Sequence, residues 1–320
     1  MTFARIVLAS FFAAAPVLVV DIRPAVQTET TGHDADDPAV WIHPKDASRS
    51  LILGTNKVAA PNGALVVFGM DGKVRQRIGG IDRPNNVDIE GDLAVLTERL
   101  KSRLRLFRVS ETGVTESGTV PVFEGQTGEA AAPMGIALYK RGRDKAVFAI
   151  VGRKTGPTQG YLWQYRIEGT RATKVREFGS YSGSGEIEAI AVDDENGFVY
   201  YADEECCIRK WHADPDHPKA AIEVATFGRE GFTANREGIA VHKDYIVCTD
   251  QIAGGSQYRL YRRKGDQAAP VAVLRGTADS TDGLEVVSRP MGPQFPRGFL
   301  IAMNSSGKNF LLFPWPEMRR

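Results

Sequence analysis

Acidic and amide side chains stand at the mouths of apolar runs throughout this chain. Asp36 and Asp37 precede Pro38-Ala39-Val40-Trp41, and Asn85, Asn86 and Asp88 surround Val87 and Ile89. Glu188 precedes Ala189-Ile190-Ala191-Val192, Glu237 precedes Gly238-Ile239-Ala240-Val241, and Asp282 precedes Gly283-Leu284. Like charges as crowded as those of Asp34-Ala35-Asp36-Asp37 repel unless they face water or hold a cation. One such stretch alone reads as a wet acidic loop; its recurrence is what points to metal chemistry. Oxygen donors without clustered histidines or thiolates suit Ca²⁺ or Mg²⁺ better than zinc or copper. A second set is cationic: Lys57, Arg99, Arg153 and Lys154 each follow the second apolar run of a repeat. Metal ions beside Lys and Arg attract a polyanion, and phosphate is the natural candidate. Such ions can polarise a phosphoryl group, neutralise its developing charge and activate a water.

These residues need a scaffold that repeats. With Asp37, Asp88, Met134, Glu188, Glu237 and Asp282 as markers, the steps are 51, 46, 54, 49 and 45 residues. Each unit reads as four short strands with turn signals between them, as in residues 38–42, 51–54, 64–68 and 74–78 of the first. That period and pattern predict an all-β, six-bladed β-propeller of four-stranded antiparallel blades, where a pair of sandwiches needs no equal spacing. The last unit runs out of chain after residues 309–313, so residues 26–31 are expected to supply its fourth strand and close the ring. The first two strands of a blade form an antiparallel hairpin. The start of one and the end of the other therefore share one face of the disc. That face collects Asp36, Asp37, Asp88, Glu188, Glu237 and Asp282 from strand starts, and Lys57, Arg99, Arg153, Lys154, Glu204, Asp250 and Asn304 from strand ends.

The chain has 320 residues, 42% hydrophobic and 25% charged, enough apolar material for a large core. A formal net charge of +1 gives no reason to expect nucleic acid or an anionic membrane as partner. Arg5 followed by the apolar run 6–20, which contains Ala13-Ala14-Ala15, is short for a comfortable membrane span and reads as a secretory signal, with an uncleaved anchor as the alternative. Residues 1–25 are therefore set apart from a single domain over 26–320, expected to be a secreted or periplasmic monomer. Of three cysteines, Cys206 and Cys207 are adjacent, which disfavours a bond between them; a pairing of Cys248 with either stays open. The histidines His33, His43, His212, His217 and His242 fall in turns or polar strand positions and are expected at the surface.

The ordered motifs resemble the β-propeller phytases, also called alkaline or 3-phytases. Asp34-Ala35-Asp36-Asp37-Pro38-Ala39-Val40-Trp41 is similar to their N-terminal signature, and Thr55-Asn56-Lys57 and Asn85-Asn86-Val87-Asp88 follow. Glu188 to Asp194, Ala202-Asp203-Glu204-Glu205, Glu237-Gly238, Thr281-Asp282-Gly283 and Pro314-Trp315 continue the likeness over roughly residues 28–316. The resemblance implies a calcium-dependent hydrolase of phytate, myo-inositol hexakisphosphate, using several Ca²⁺ ions. It implies Asp36, Glu188, Glu204 and Glu237 as calcium ligands around the cleaved phosphate, joined by Asp282, with Asn86 and Asp88 at a further calcium position. Glu188, Glu237 and Asp282 would form the catalytic group. Lys57, Arg99 and Lys154 would hold substrate phosphates, with Arg153 as the alternative to Lys154. Two residues depart from the pattern: Met134 stands where the family has a phosphate-contacting tyrosine, and the candidate ligand Asn235 where it has an aspartate. Asp279 competes with Asp282 for one role. Those departures motivate a rival reading, a non-catalytic calcium-binding propeller; a lactonase-like hydrolase with one deeply held ion is a third.

Overall fold

A computed structural model describes residues 17–265 and 267–318. No α-helix occurs among the described residues; 25 strands form six sheets. The innermost strands, Ala35–Trp41, Pro84–Glu90, Pro133–Lys140, Ile190–Asp193, Ile239–Val241 and Leu284–Val287, touch in chain order, and the last touches the first. The sheets therefore stand as six blades around an axis. Every second and third strand is sandwiched between neighbouring blades, which explains why Leu51–Asn56 and Ala64–Gly69 are buried on both faces. The outermost strand Val74–Gly79 instead alternates exposed and half-buried residues. One apolar cluster fills each of the six seams. Leu53, Leu65, Leu96 and Phe107 pack between blades one and two, for example, and Phe68, Phe310 and Leu312 between blades six and one.

Ring closure follows the sequence expectation. Val26–Gln27 pairs antiparallel with Asn309–Pro314 and supplies the sixth blade's outer strand. The N-terminal boundary differs from it. Leu18–Asp21 adds a fifth, parallel strand to blade five against Ala272–Arg275, and Ile22 is buried in the adjoining core. Residues 18–25, set apart from the fold on hydropathy, thus belong to the propeller, because Leu18, Val20 and Ile22 meet an apolar groove there. The rest of the expected leader, residues 1–16, lies outside the described residues.

Two other expectations are corrected. Cys206 and Cys207 are disulfide-bonded to one another across the turn that follows Asp203, and Cys248 is a buried free thiol. Adjacent side chains diverge in a regular strand, but Cys206 precedes the strand Cys207–His212 and its backbone N–H closes a turn on the Asp203 carbonyl. His43 and His242 are buried and structural. His43 accepts hydrogen bonds from the Lys45 and Asp46 N–H groups, and His242 stacks on Trp315 with ring centroids 4.0 Å apart.

The strand starts carry the feature that builds the site. In blades one to three the pairing of first and second strands skips a residue, between Ala35 and Pro38, Pro84 and Val87, and Pro133 and Ile136. A bulge of this kind re-aims side chains. In blade one it sends Asp36 toward Lys57, while Asp37 accepts the Val87 N–H of the next blade at 3.0 Å. Glycine makes the convergence possible at two positions. A Cβ on Gly135 would lie 1.8 Å from the Glu188 carbonyl oxygen, and one on Gly283 would lie 2.1 Å from the Asp37 carboxylate.

Candidate active site

A repeated backbone hydrogen bond sets the true equivalences around the ring. The N–H of Lys57 donates to Asp34, Arg99 to Arg83, Lys154 to Ala132, Glu204 to Glu186 and Gln251 to Asn235, at 2.8 to 3.3 Å. Two residues beyond each acceptor lies the inner position of that blade, giving Asp36, Asn85, Met134, Glu188 and Glu237, with Asp282 in blade six. The steps become 49, 49, 54, 49 and 45 residues. Asn85, not Asp88, is the blade-two member, because the matching bulges align Ala35 with Pro84 and Pro38 with Val87 and so put Asn86 at the place of Asp37.

Charge is segregated around this ring. Blades one to three contribute the cations Lys57, Arg83, Arg99 and Lys154, whereas blades four to six contribute the carboxylates Glu186, Glu188, Glu204, Glu237 and Asp282, joined by Asp34 and Asp36 of blade one. A lysine bridges each junction between the halves. Lys57 lies 3.0 Å from Asp36 and also pairs with Asp282, whereas Lys154 pairs with Glu186. Asn85 spans the middle, its amide donating to Asp36 Oδ2 at 3.0 Å and to Glu188 Oε1. Gln251 donates to Asp282 Oδ1, and the Asn235 amide lies 3.4 Å from Glu237 Oε1. Between the lysines, the Arg99 and Arg83 guanidiniums have no ion pair among the described residues.

The acidic half is held away from water, and its acidities respond. Burial, opposed by Lys57 and reinforced by Asp282, pushes Asp36 up to about 7. Burial and the nearby Asp282 push Glu237 to about 7, and burial with Glu237 and Glu186 pushes Glu204 to about 9. Glu188 is raised by burial and then by Asp36. Burial disfavours the charged form of Lys57, but Asp36, Asp282 and Glu188 outweigh it and hold the ammonium charged. Glu186, Glu188 and Glu204 each place a carboxylate oxygen within 4.8 Å of the others. Glu204 Oε1 and Glu186 Oε2 are buried without a hydrogen-bond partner. Buried polar atoms are rarely left so, and three grouped carboxylates with orphaned oxygens are the kind of donor set a hard divalent cation requires.

This geometry agrees with the relatives of the chain. The phytase family model matches residues 9–310. The chain belongs to the phytase family. A 3-phytase of Bacillus subtilis (strain 168) is 28% identical to it over 338 residues, covering 92% of this chain and 84% of that one. Among solved structures, the calcium-binding protein regucalcin of Agrobacterium tumefaciens superposes with a TM-score of 0.59 at 11% identity. That likeness covers 93% of this chain and 98% of that one, and shows the shared fold alone.

Most of the residues expected from sequence converge in this phytase: Asp36, Lys57, Arg99, Lys154, Glu188, Glu204, Asn235, Glu237 and Asp282. Arg153 does not. It is 2% exposed, its guanidinium packed on Phe123, Tyr161 and Trp163 and donating to the Gly160 carbonyl at 3.0 Å, so Lys154 is the residue at the rim. Asp88 turns into the axial channel, lined also by Asn86, Glu90, Asp194 and Glu285, and accepts the N–H groups of Ile89 and Leu138 at 2.6 Å. Asp279 caps the Gly254 N–H at 2.7 Å, leaving the site to Asp282. Asp250 and Asn304 accept from the loops at Thr233-Ala234 and Asp279. Sequence reading missed Asn85, Glu186, Gln251 and Arg83. A signal existed for Glu186, which stands two residues before Glu188 and so on the same side of an extended segment.

Proposed function

We propose that this phytase releases phosphate from phytate in a calcium-dependent reaction outside the cytoplasm. The observation that carries the reading is the division of the site into a carboxylate half with orphaned buried oxygens and a cationic half with unpaired guanidiniums. Asp36, Glu188, Glu204, Glu237 and Asp282 would hold the ions, and their donor chemistry fits Ca²⁺. Bound calcium supplies positive charge that neutralises a phosphoryl group and acidifies a water for in-line attack. Lys57, Arg99 and Lys154 bind and orient the substrate's phosphates from the opposite side. Asn85 fixes the Asp36 and Glu188 carboxylates relative to one another through a single amide. Export is supported by the apolar run 6–20 and by a disulfide, which persists in oxidising compartments.

The test is phosphate release from phytate by the purified chain, with Ca²⁺ and with a chelator, alongside Glu188→Gln. Calcium-dependent release that the substitution abolishes is the expected result. Met134, buried at the inner position of blade three, brings no polar group and motivates the rival non-catalytic propeller. Calcium-dependent phytate binding without release would establish that rival and end the catalytic reading.

A further inference from the structure

Glu186 is a carboxylate of unexplained placement. It stands on the rim two residues before Glu188, where the equivalent positions of blades one, two, three and five are Asp34, Arg83, Ala132 and Asn235. One oxygen, Oε1, pairs with Lys154; the other, Oε2, is buried and has no partner. A simple counter-ion to Lys154 would leave that second oxygen to water. The carboxylate as a whole stands beside Glu188 and Glu204, one oxygen from each of the three lying within 4.8 Å of the others. Glu204 gives the independent sign of a ligand. It is 5% exposed, its Oε2 accepts the Glu186 N–H at 3.1 Å, and its Oε1 is thereby turned into the group, buried and unpartnered. Once ionised, three carboxylates against one ammonium carry two negative charges in a water-poor pocket, the complement of one divalent cation.

We propose that Glu186 is a direct ligand of a divalent cation held with Glu188 and Glu204, and that Lys154 competes with that cation for the Glu186 carboxylate. This rests on the calcium reading above and adds to it a residue and a coupling. Glu186 is shared between the metal and the lysine that faces substrate, so ion binding frees the Lys154 ammonium for a phosphate. Asn235 carries no charge on the neighbouring blade, and Glu186 adds a carboxylate close enough to Glu237 to act on it.

The two halves of the proposal predict effects of opposite sign, read by ion binding without turnover. Ca²⁺ affinity is measured by titration calorimetry, and Tb³⁺ binding by luminescence sensitised by the site's aromatic neighbours, on the full chain. Glu186→Gln is expected to weaken one binding step about tenfold or more, as loss of a charged ligand does. Lys154→Met is expected to tighten the same step about threefold, and to lose most of that gain when combined with Glu186→Gln. A folded Glu186→Gln chain that binds within twofold of the unsubstituted one overturns the proposal, as does weakened binding in Lys154→Met. Should Glu186→Gln not fold, the Lys154→Met result decides alone. If the unsubstituted chain binds ions and hydrolyses phytate while Glu186→Gln binds normally, only this proposal falls. If the unsubstituted chain binds no Ca²⁺ or Tb³⁺, the calcium reading falls with it.

Discussion

The buried carboxylates make the stability of this protein depend on pH in an unusual direction, and calcium should cancel the dependence. A carboxyl whose pKa is higher folded than unfolded holds its proton better in the folded state. Stability is then highest below the unfolded pKa and is lost as pH rises toward the folded one. Glu204, pushed to about 9 by burial and by Glu237 and Glu186, is protonated when folded and ionised when unfolded across the whole interval from pH 6 to 8.5. At about 1.4 kcal/mol per pH unit it contributes a loss of about 3 kcal/mol over that interval. Asp36 and Glu237, each raised to about 7, contribute roughly 1 kcal/mol apiece before they ionise in both states. The sum is on the order of 5 kcal/mol, or about 10 °C in melting temperature for a domain of this size. Calorimetric melting in chelator at pH 6 and pH 8.5 measures it. Saturating Ca²⁺ bound to the ionised carboxylates is expected to restore most of the loss at pH 8.5 and to do little at pH 6. Glu204→Gln should remove the largest share of the chelated pH dependence. Melting temperatures in chelator that agree within about 2 °C at the two pH values would refute the reasoning, since burial without compensation cannot leave folding indifferent to ionisation.

Arg99 and Arg153 separate binding from stability. Arg99 has no ion pair to lose among the described residues and faces Glu186 and Glu188 across the site, so Arg99→Gln should raise KM for phytate about tenfold to a hundredfold. Its melting temperature should be unchanged, and steady-state kinetics with melting of the same sample checks both. Arg153→Met should do the reverse, costing about 2 to 4 kcal/mol of stability by urea unfolding as its contacts with Phe123, Tyr161 and Trp163 are lost, with KM within about twofold.

The propeller was legible because its blades repeat at a near-constant step and because strands buried on both faces carry continuous apolar runs. Position within the blade was less so. Nothing in Asn85-Asn86-Val87-Asp88 announces a skipped residue between Pro84 and Val87, and without it the charged Asp88 is the natural partner of Asp37. The matching bulges of blades one and two put Asn86 at the place of Asp37 and Asn85 at that of Asp36, and Asp88 turns into the axial channel. Arg153 and Lys154 posed the same difficulty at a strand end. Adjacent residues face opposite ways, and only the cage of three aromatic rings shows which one points inward. The N-terminal boundary was hard to place for a different reason. An apolar segment reads alike whether it is to be removed or to be buried, and the groove that receives Leu18, Val20 and Ile22 is built from residues 240–315.

Sixfold repetition also explains how a fold with near-zero net charge can present strong local fields. Each of blades one to five offers the rim three equivalent places, such as Asp34, Asp36 and Lys57 in blade one, and the hydrogen bond that defines them uses backbone atoms only. Side chains there can change sign without disturbing the blade. Blades two and four fill the same three places with Arg83, Asn85 and Arg99 in one case and Glu186, Glu188 and Glu204 in the other. Opposite charges therefore face one another across the ring on a rigid frame, and they neutralise only where a lysine reaches over the junction, at Lys57 and Lys154. The centres of the two halves are left uncompensated. A cation on one side and a phosphate on the other satisfy both at once, and each makes the other's binding more favourable.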